Sequence, residues 1–507
     1  MPIQLSKPYP TINQERNGSA LRTNVPSPYG GLNTRDSESE MGQTDAIVME
    51  NFFPTQGCVK TRKGSAIYCS GLTGDVETLI DHNSLNNRRF LACHSDKISD
   101  ITSSGDILTL KTGLSSARWQ TDQMNGYTLL FNGLDTPLLF NGNTITNSTI
   151  NGSGLTASNL DGVNIFKNRC FVWNSNSPEF WYGPTFAIQG TFSKFSLSSL
   201  ARGNITTMIS ASRDGGKGPA DFAIFIMSSG DVVVYDGDDP STAGAWSLVG
   251  IYRIGRPLSV RAARKVGGDV MILTNQDFIY FSEVAQNDSE ITNRSKLSGA
   301  AILAAQSYGS NYGWEIASYP NGPWLIINVP VSTNQTYHQY IINTITGAAT
   351  KFTGLNARTW GLFKDRLYFG GSGKVYLADT GFDDDGEYIK CIAQSAYGNL
   401  GSPNEKTINS YRNTFKADGS VAINSTVNFD YGRSATKQAN SSIAQGYAWD
   451  STPWDAVLWS PENYGRNDLV YSAGQGVDLS MRVEINLKGQ QFSWYRTDYS
   501  VSVNNNL

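Results

Sequence analysis

A hairpin that recurs along the middle of the chain constrains its fold more than any other feature. Each copy has an apolar strand, a short turn with Gly, Asn or Asp, and a second apolar strand, which is the pattern of a β-hairpin. Four copies are clear and three are looser; in chain order they begin at Phe90, Leu129, Phe171, Ala223, Met271, Leu325 and Leu367. Their mean spacing of about 46 residues is the length of one β-propeller blade. The pattern predicts a β-propeller of six or seven blades over residues 89–380.

A long β-sandwich is the alternative all-β fold for this region, but its hairpins would follow one another without a blade-length period. Helical patterning is scarce. One helix is predicted over 295–307, with Ser295 as its cap, as an insertion that packs on a blade. The fold class is therefore all-β.

The regions on either side of the propeller differ from it in composition. Residues 1–45 are polar and rich in Pro and Gly, so we expect an extended N-terminal arm that does not order by itself. Residues 46–88 are expected to form an N-terminal β segment that joins the platform and the propeller. Alternating apolar residues return over 381–507, which predicts a C-terminal, sandwich-like β platform domain. Within it, the Trp-rich stretch 434–459 is predicted to be a loop that projects to a contact surface.

The charge balance excludes several classes of protein. The chain has 40 Lys and Arg against 44 Asp and Glu, a net charge of −4, so it cannot hold nucleic acid by bulk positive charge. No apolar run reaches the ~20 residues of a membrane helix, and no targeting signal is recognised, so no membrane anchor is expected. The five cysteines are odd in number and lack a C-x-x-C pair, which argues against a disulfide framework or a zinc site.

The search for catalytic groups finds only isolated candidates. The three histidines, His82, His94 and His338, are scattered and match no metal or nucleophile motif. Ser212–Gly216 fits the first five positions of the Asp box of sialidase-like propellers, but the Thr and Trp of that motif are absent, which favours a polar Gly-rich loop. We therefore predict that the chain is not an enzyme and that it has no catalytic, cofactor-binding or metal-binding residues.

For two kinds of turn, the sequence leaves open whether they bind a ligand or are only structural. The acidic turn Asp383–Glu387 either holds a hard cation through carboxylate oxygens or is a solvated connection. The aromatic pair Trp181–Tyr182 and the acidic segment Asp236–Asp239 either contact a sugar or are ordinary blade edges.

Several segments, taken together, resemble one known family. They are Pro28–Asp36, Ala46–Pro54, Val59–Gly64, Gly313–Pro320, Leu325–Pro330, Gln339–Thr344, Phe352–Gly354, Leu362–Gly371, Val375–Gly381 and Phe492–Tyr499. This set is similar to the tail nozzle family, also called tail hub or tubular tail proteins, of short-tailed double-stranded DNA bacteriophages. The resemblance extends over nearly the whole chain in short segments, with unmatched stretches at 140–260 and 430–490.

The resemblance implies a structural function. Members of this family form a homohexameric ring below the head-to-tail adaptor, carry a β-propeller on each subunit and surround the channel through which genomic DNA leaves the virion. The expected partners are other copies of the chain, the adaptor, tail fibres or spikes, and double-stranded DNA that passes without tight binding. The expected location is the virion tail, assembled in the cytoplasm of the bacterial host. The alternative is a carbohydrate-binding or carbohydrate-cleaving β-propeller of a tail or cell surface.

Overall fold

The computed structural model describes residues 21–85, 87–214, 219–242, 244–286, 295–332, 335–418, 421–434, 437–439, 441–442, 464–467 and 469–503 of the 507-residue chain. The chain divides into two compact units. The first unit comprises residues 1–64, 342–352 and 381–507, and the second comprises 65–341 and 353–380. The second unit corresponds to the expected propeller, but it begins at Ser65 rather than at residue 89.

The described secondary structure is almost entirely β. The first strands of the chain are β1 (Leu21–Pro26), β2 (Gly31–Leu32), β3 (Asp45–Glu50), β4 (Phe52–Thr55) and β5 (Cys58–Thr61). Then follow β6 (Ser65–Ser84), β7 (Asn87–His94), β8 (Lys97–Asp100), β9 (Leu108–Lys111), β10 (Gln120–Met124), β11 (Tyr127–Phe131), β12 (Leu138–Phe140), β13 (Ile145–Asn147), β14 (Ile150–Gly152), β15 (Gly162–Phe166), β16 (Arg169–Trp173), β17 (Glu179–Tyr182), β18 (Gly190–Ser196), β19 (Ile205–Asp214), β20 (Pro219–Met227), β21 (Asp231–Gly237) and β22 (Trp246–Arg253).

After β22 come β23 (Ala263–Val266), β24 (Asp269–Leu273), β25 (Phe278–Tyr280), helices α1 (Phe281–Gln286) and α2 (Ser298–Tyr308), β26 (Glu315–Tyr319), β27 (Trp324–Ser332), β28 (Thr336–Asn343), β29 (Ala349–Phe352), β30 (Thr359–Phe363), β31 (Arg366–Gly370) and β32 (Ser372–Ala378). The last strands are β33 (Ile389–Ser395), β34 (Lys406–Ala417), β35 (Ile423–Phe429), β36 (Lys437–Ala439), β37 (Ser441–Ser442), β38 (Tyr464–Asn467), β39 (Val470–Gly476), β40 (Leu479–Leu487) and β41 (Phe492–Val503).

The second unit has a β-propeller arrangement. Four of its sheets are blades of four consecutive antiparallel strands, namely the second part of β6 with β7–β9, then β10–β13, β15–β18 and β19–β22. This count of four differs from the six or seven blades that the hairpin spacing predicted. All seven predicted hairpins are present as the strand pairs β7–β8, β11–β12, β16–β17, β20–β21, β24–β25, β27–β28 and β31–β32.

The hairpin count and the blade count differ because the remaining sheets are irregular. The sheet β23–β25 has only three strands and is followed by α1. The sheet β30–β32 receives its outer strand from the first part of β6, where Lys374 pairs with Ser70 and Val375 with Cys69. Strand β6 can serve two sheets because Gly71 and Gly74 adopt positive φ values of +95° and +69° between its two parts, which residues with a Cβ rarely do.

The first unit contains two sheets. One has the order β37-β38-β34-β41-β5-β4, with β1 on β41 and β39 on β34, and the other includes the path β29-β3-β33-β40-β35-β36. The Tyr411 hydroxyl on β34 donates to the carbonyl oxygen of Ser425 on β35 at 2.9 Å, so it links the two sheets.

Two expectations need correction at this level. Residues 21–26, in the expected arm, form strand β1, which pairs with β41 from Leu21–Val501 to Pro26–Arg496. The backbone of this polar segment is ordered by hydrogen bonds to a distant strand, which its composition does not reveal. The predicted helix exists as α2, but it begins at Ser298 after Leu297, and Ser295 instead donates its hydroxyl to Asp277 Oδ1 at 2.6 Å.

Candidate functional site

The innermost strands of the second unit line a central channel with a volume of about 690 Å³. Residues from the second part of β6 and from β10, β15, β19, β23, β26 and β30, or from the segments just before them, contribute to its wall. Residues from all of these sheets converge on the channel, so we take it as the candidate site.

Arg261, just before β23, is one of the residues that line the channel. Its Nη2 donates to Thr78 Oγ1 and to the carbonyl oxygen of Trp119, both at 2.8 Å. Its Nη1 donates to the carbonyl oxygen of Glu77 at 3.2 Å. One side chain from the segment before β23 therefore contacts β6 and the segment before β10.

The same guanidinium forms an ion pair with Glu315 at the start of β26, with Nη1 3.1 Å from Oε2. Both side chains are about nine-tenths buried. Thr359, at the start of β30, accepts from Arg261 at 3.2 Å and donates to Glu315 Oε1 at 3.3 Å. Because the charges are buried, paired and hydrogen-bonded, this cluster links sheets rather than presenting a free acid or base.

Further charged groups lie near Arg261. The Arg118 guanidinium lies over the Tyr312 ring, 4.4 Å from its centroid, and donates to the carbonyl oxygen of Trp314 at 3.3 Å. Burial and the neighbouring Arg261 lower the pKa of Arg118, and burial raises the pKa of Glu77. Arg358 pairs with Asp75 at 3.1 Å.

The wall of the channel carries both signs of charge. Burial raises the pKa of Asp122 and of Asp161. Asp122 accepts a hydrogen bond from the backbone N–H of Ile165 at 2.6 Å, while Arg264 and Lys265 are exposed on the wall formed by β23. The lining therefore combines three acidic side chains, Asp122, Asp161 and Glu315, with three basic ones, Arg261, Arg264 and Lys265.

The hairpin pattern and the motif searches did not identify the arginines of this site, although the sequence repeats them at equivalent positions. Arg118, Arg261 and Arg358 each lie shortly before an innermost strand, and each follows a small apolar residue, as in Ala117-Arg118, Val260-Arg261 and Ala357-Arg358. Aligning the chain on the starts of the innermost strands, instead of on the hairpins, would have revealed this repetition.

The histidines lie apart from this site. His82 is fully buried, with Nδ1 2.8 Å from Thr128 Oγ1, and His94 is held by the carbonyl oxygen of Thr73 and the hydroxyl of Ser99, each at 3.0 Å. His338 packs edge-on against Tyr340, with 5.2 Å between ring centroids. None of the three lines the channel.

The turns considered for sugar contact are engaged within the protein. Trp181 is 4% exposed, and its Nε1 donates to the carbonyl oxygen of Ser153 at 3.0 Å. Asp236 and Asp239 pair with Lys167 and Arg169 at 3.4 and 3.0 Å. In the Asp-box segment, Ser212 lies on β19, whereas residues 215–218 are outside the described residues, as is most of the Trp-rich stretch 434–459.

The acidic turn belongs to the first unit. Asp384 accepts from Arg62 Nη1 at 2.9 Å, and Asp383 Oδ1 accepts from the N–H of Gly386 at 2.7 Å. The charge of Asp384 is thus paired with that of an arginine. Across the part of the chain that the structure describes, no group of three or more His, Cys, Asp or Glu is placed to hold a metal ion. No helix in that part is long and apolar enough to cross a membrane.

Neither a family model nor a curated protein sequence matches the chain. Solved structures do match. The Myceliophteria thermophila Cps50 (Swd1) β-propeller domain is 11% identical, covering 62% of this chain and 99% of that one at a TM-score of 0.40. Chaetomium thermophilum Raptor is 11% identical over 64% of this chain and 29% of that one, at 0.41. The computationally designed Ika8 protein is 10% identical over 68% and 98%, at 0.37.

Proposed function

We propose that the chain is a virion structural protein, a tail nozzle subunit that assembles into a homohexameric ring for DNA ejection and docks to a head-to-tail adaptor. The proposal rests on the resemblance of its sequence segments to that family. It includes the virion tail as the location and tail fibres or spikes as further partners. No catalytic role is assigned to any residue.

One structural observation supports the proposal: resembling segments from opposite ends of the chain pack together. Val59–Gly64 includes β5, which pairs with β41 through Lys60–Ser493 and Val59–Trp494. The rings of Phe52 and Phe492, one from each end, are 6.3 Å apart. Segments that form a common core are expected to vary little within a family, which gives a physical reason for their joint occurrence.

We further propose that the second unit is a seven-bladed propeller and that the first unit is the sandwich-like platform. The irregular sheets β23–β25, β26–β28 and β30–β32 would be the fifth, sixth and seventh blades, in agreement with the seven hairpins. The hydrogen bond between Tyr411 and Ser425 supports two facing sheets in the platform.

The conduit in this proposal is the pore of the ring and not the channel of the propeller. The propeller channel has a volume of only about 690 Å³, and the Arg261 side chain, hydrogen-bonded to Thr78, is part of its lining. The net charge of −4 suits a ring pore, because each neutralised phosphate would add affinity for the passing duplex.

The test is the assembly state of the purified full chain. Light scattering after size exclusion should give six times the 55.3 kDa mass of the chain, and negative-stain class averages should contain a ring with a central pore. A monomer that remains monomeric when mixed with the adaptor of a short-tailed phage would overturn the proposal.

Two further measurements separate the alternatives. Duplex binding, followed by fluorescence anisotropy, should be weak at ~150 mM salt, whereas a binder with about 6–10 phosphate contacts would lose ~10³–10⁵ in affinity between about 50 and 200 mM. Specific binding on a glycan array, or glycan cleavage abolished by changing one acidic residue, would favour the carbohydrate-active alternative instead.

A further inference from the structure

A second cavity, lined by other residues than the central channel, lies where the regular blade β19–β22 adjoins the three-stranded sheet β23–β25 and helix α1. Its volume is about 390 Å³, within the range of small-molecule sites. We call it the inter-sheet pocket. It does not depend on the proposed ring or on any partner.

The pocket has a clear structural origin. Between the blades β15–β18 and β19–β22, the facing side chains are mostly aromatic, including Phe171, Phe180, Phe225 and Tyr235. On the other face of β20, Ile224 and Ile226 meet Val270 and Ile272 of the next sheet, which are smaller side chains. The next sheet also has a short helix where a regular blade has a fourth strand. The smaller side chains and the missing fourth strand leave a space in this layer. In the layer between β15–β18 and β19–β22, aromatic side chains fill the corresponding space.

The lining defines the chemistry of a ligand. Three aromatic residues line the pocket: Phe222 from β20, Tyr252 from β22 and Phe281 from α1. The rings of Tyr252 and Phe281 meet edge to face with 5.7 Å between centroids. Ala211 and Val234 line the interior, and Val249, 48% exposed, lines the pocket from the outer strand β22. An apolar, flat or chain-like molecule fits such walls.

One side of the pocket is polar. The carboxylate of Asp269 accepts from the backbone N–H groups of Val270 and Ser282, at 2.7 and 3.1 Å, and from the Ser282 hydroxyl. A carboxylate has about four acceptor positions, so it can take one more donor. The hydroxyl of Ser212, also in the lining, accepts from Lys265 at 3.2 Å, which places a positive charge near this side. The nearby opposite charges favour a neutral ligand with one hydrogen-bond donor.

We propose that the inter-sheet pocket binds a small, neutral, mostly apolar molecule that carries a single N–H or O–H donor, with its apolar body against the wall that Tyr252 and Phe281 form and its donor at Asp269. Aryl amines and medium-chain alcohols belong to this class.

The test uses the full chain and the dye N-phenyl-1-naphthylamine, a neutral aryl amine that fluoresces in apolar surroundings. The wild type should give a saturable, blue-shifted signal at one site per chain. Ala211→Phe, which fills the pocket, should weaken binding at least tenfold. Leu303→Phe, which adds the same ring at an exposed position on α2, should bind like the wild type.

A second variant guards against misfolding of the first. Val249→Asp changes a half-exposed side chain of the lining and should weaken the dye several-fold without changing the circular dichroism spectrum. The site would be overturned if the wild type gave no saturable signal. It would also be overturned if folded Ala211→Phe and folded Val249→Asp both bound the dye as tightly as the wild type.

The donor is tested by competition. Octanol should displace the dye at a concentration at least threefold lower than methyl heptyl ether, which has a similar chain but no donor. Equal displacement by the two would overturn the role of Asp269.

Discussion

The two faces of strand β20 pack against side chains of different size. Phe225 faces the aromatic layer, which lies between the blades β15–β18 and β19–β22, and it stacks there on Phe180 with 4.7 Å between centroids. Its neighbour Ile224 faces the other layer, between β19–β22 and β23–β25, where it meets smaller side chains beside the inter-sheet pocket. Both residues are fully buried. Burial alone therefore does not report how well a layer is filled; the size of the facing side chains and the number of strands decide that.

The largest effect is expected from truncating the two neighbours. Phe225→Ala should lower the free energy of unfolding by about 3–5 kcal/mol, because it opens a cavity in a filled layer. Ile224→Ala should cost about 2–3 kcal/mol, in the lower part of its usual range, because its surroundings already border open space and relax more easily. Chemical unfolding followed by circular dichroism measures both, and a larger loss for Ile224→Ala would contradict the comparison.

Enlarging an alanine in each layer also tests whether the two layers differ in how completely they are filled. Ala223→Val in the aromatic layer should destabilise the protein by about 1–3 kcal/mol through overpacking. Ala211→Val lines the pocket and should be neutral or stabilise by up to about 1 kcal/mol through the added buried methyl groups. Melting temperatures that fall equally in the two variants would mean that the pocket cannot accept even a small group.

A double-mutant cycle isolates the aromatic contact. Phe180→Leu and Phe225→Leu, alone and combined, should give a coupling energy of about 0.5–1.5 kcal/mol beyond the loss of buried area. Ile224→Val combined with Phe180→Leu is the control and should be additive, because the two side chains belong to different layers. Coupling in the control pair would show that the two layers are not independent.

A third layer, between the blades β6–β9 and β10–β13, differs from both because it contains a buried histidine. The fully buried His82 ring lies edge-on to Phe140 at 4.8 Å, and its Nε2 has no hydrogen-bond partner among the residues that the structure describes. Burial lowers the pKa of His82, a trend that Arg89 reinforces and Asp81 opposes. The folded state therefore binds fewer protons than the unfolded state.

The uptake of a proton by His82 on unfolding gives the smallest predicted effect, a loss of stability at low pH. Stability should be retained above the unfolded pKa of ~6.5 and should fall as the pH drops below it, by less than about 1.4 kcal/mol per pH unit for this one proton. Unfolding at pH 7.5 and pH 5.5 should show a smaller loss for His82→Gln than for the wild type, since burial also lowers the pKa of His94 and leaves part of the effect. An identical loss in both proteins would exclude His82 as a contributor.

The local elements were predictable because their signals lie in neighbouring residues. The hairpins at Leu129 and Ala223 follow from alternating apolar residues around a turn, and they form as β11–β12 and β20–β21. The channel site was not predicted, because Arg261 contacts Thr78, Trp119 and Glu315, which are distant in sequence. The acidic turn was left open for a similar reason: its partner Arg62 lies more than three hundred residues earlier.

The sequence by itself determined the all-β class, the positions of the hairpins and their blade-length spacing, because strand periodicity and turn residues act over a few positions. Only the tertiary structure decided that β1 joins β41, that β6 serves two sheets, and that one sheet of three strands leaves a pocket beside Ala211. Strand pairing and cavity volume depend on which distant backbones and side chains meet, and neither is written in a local pattern.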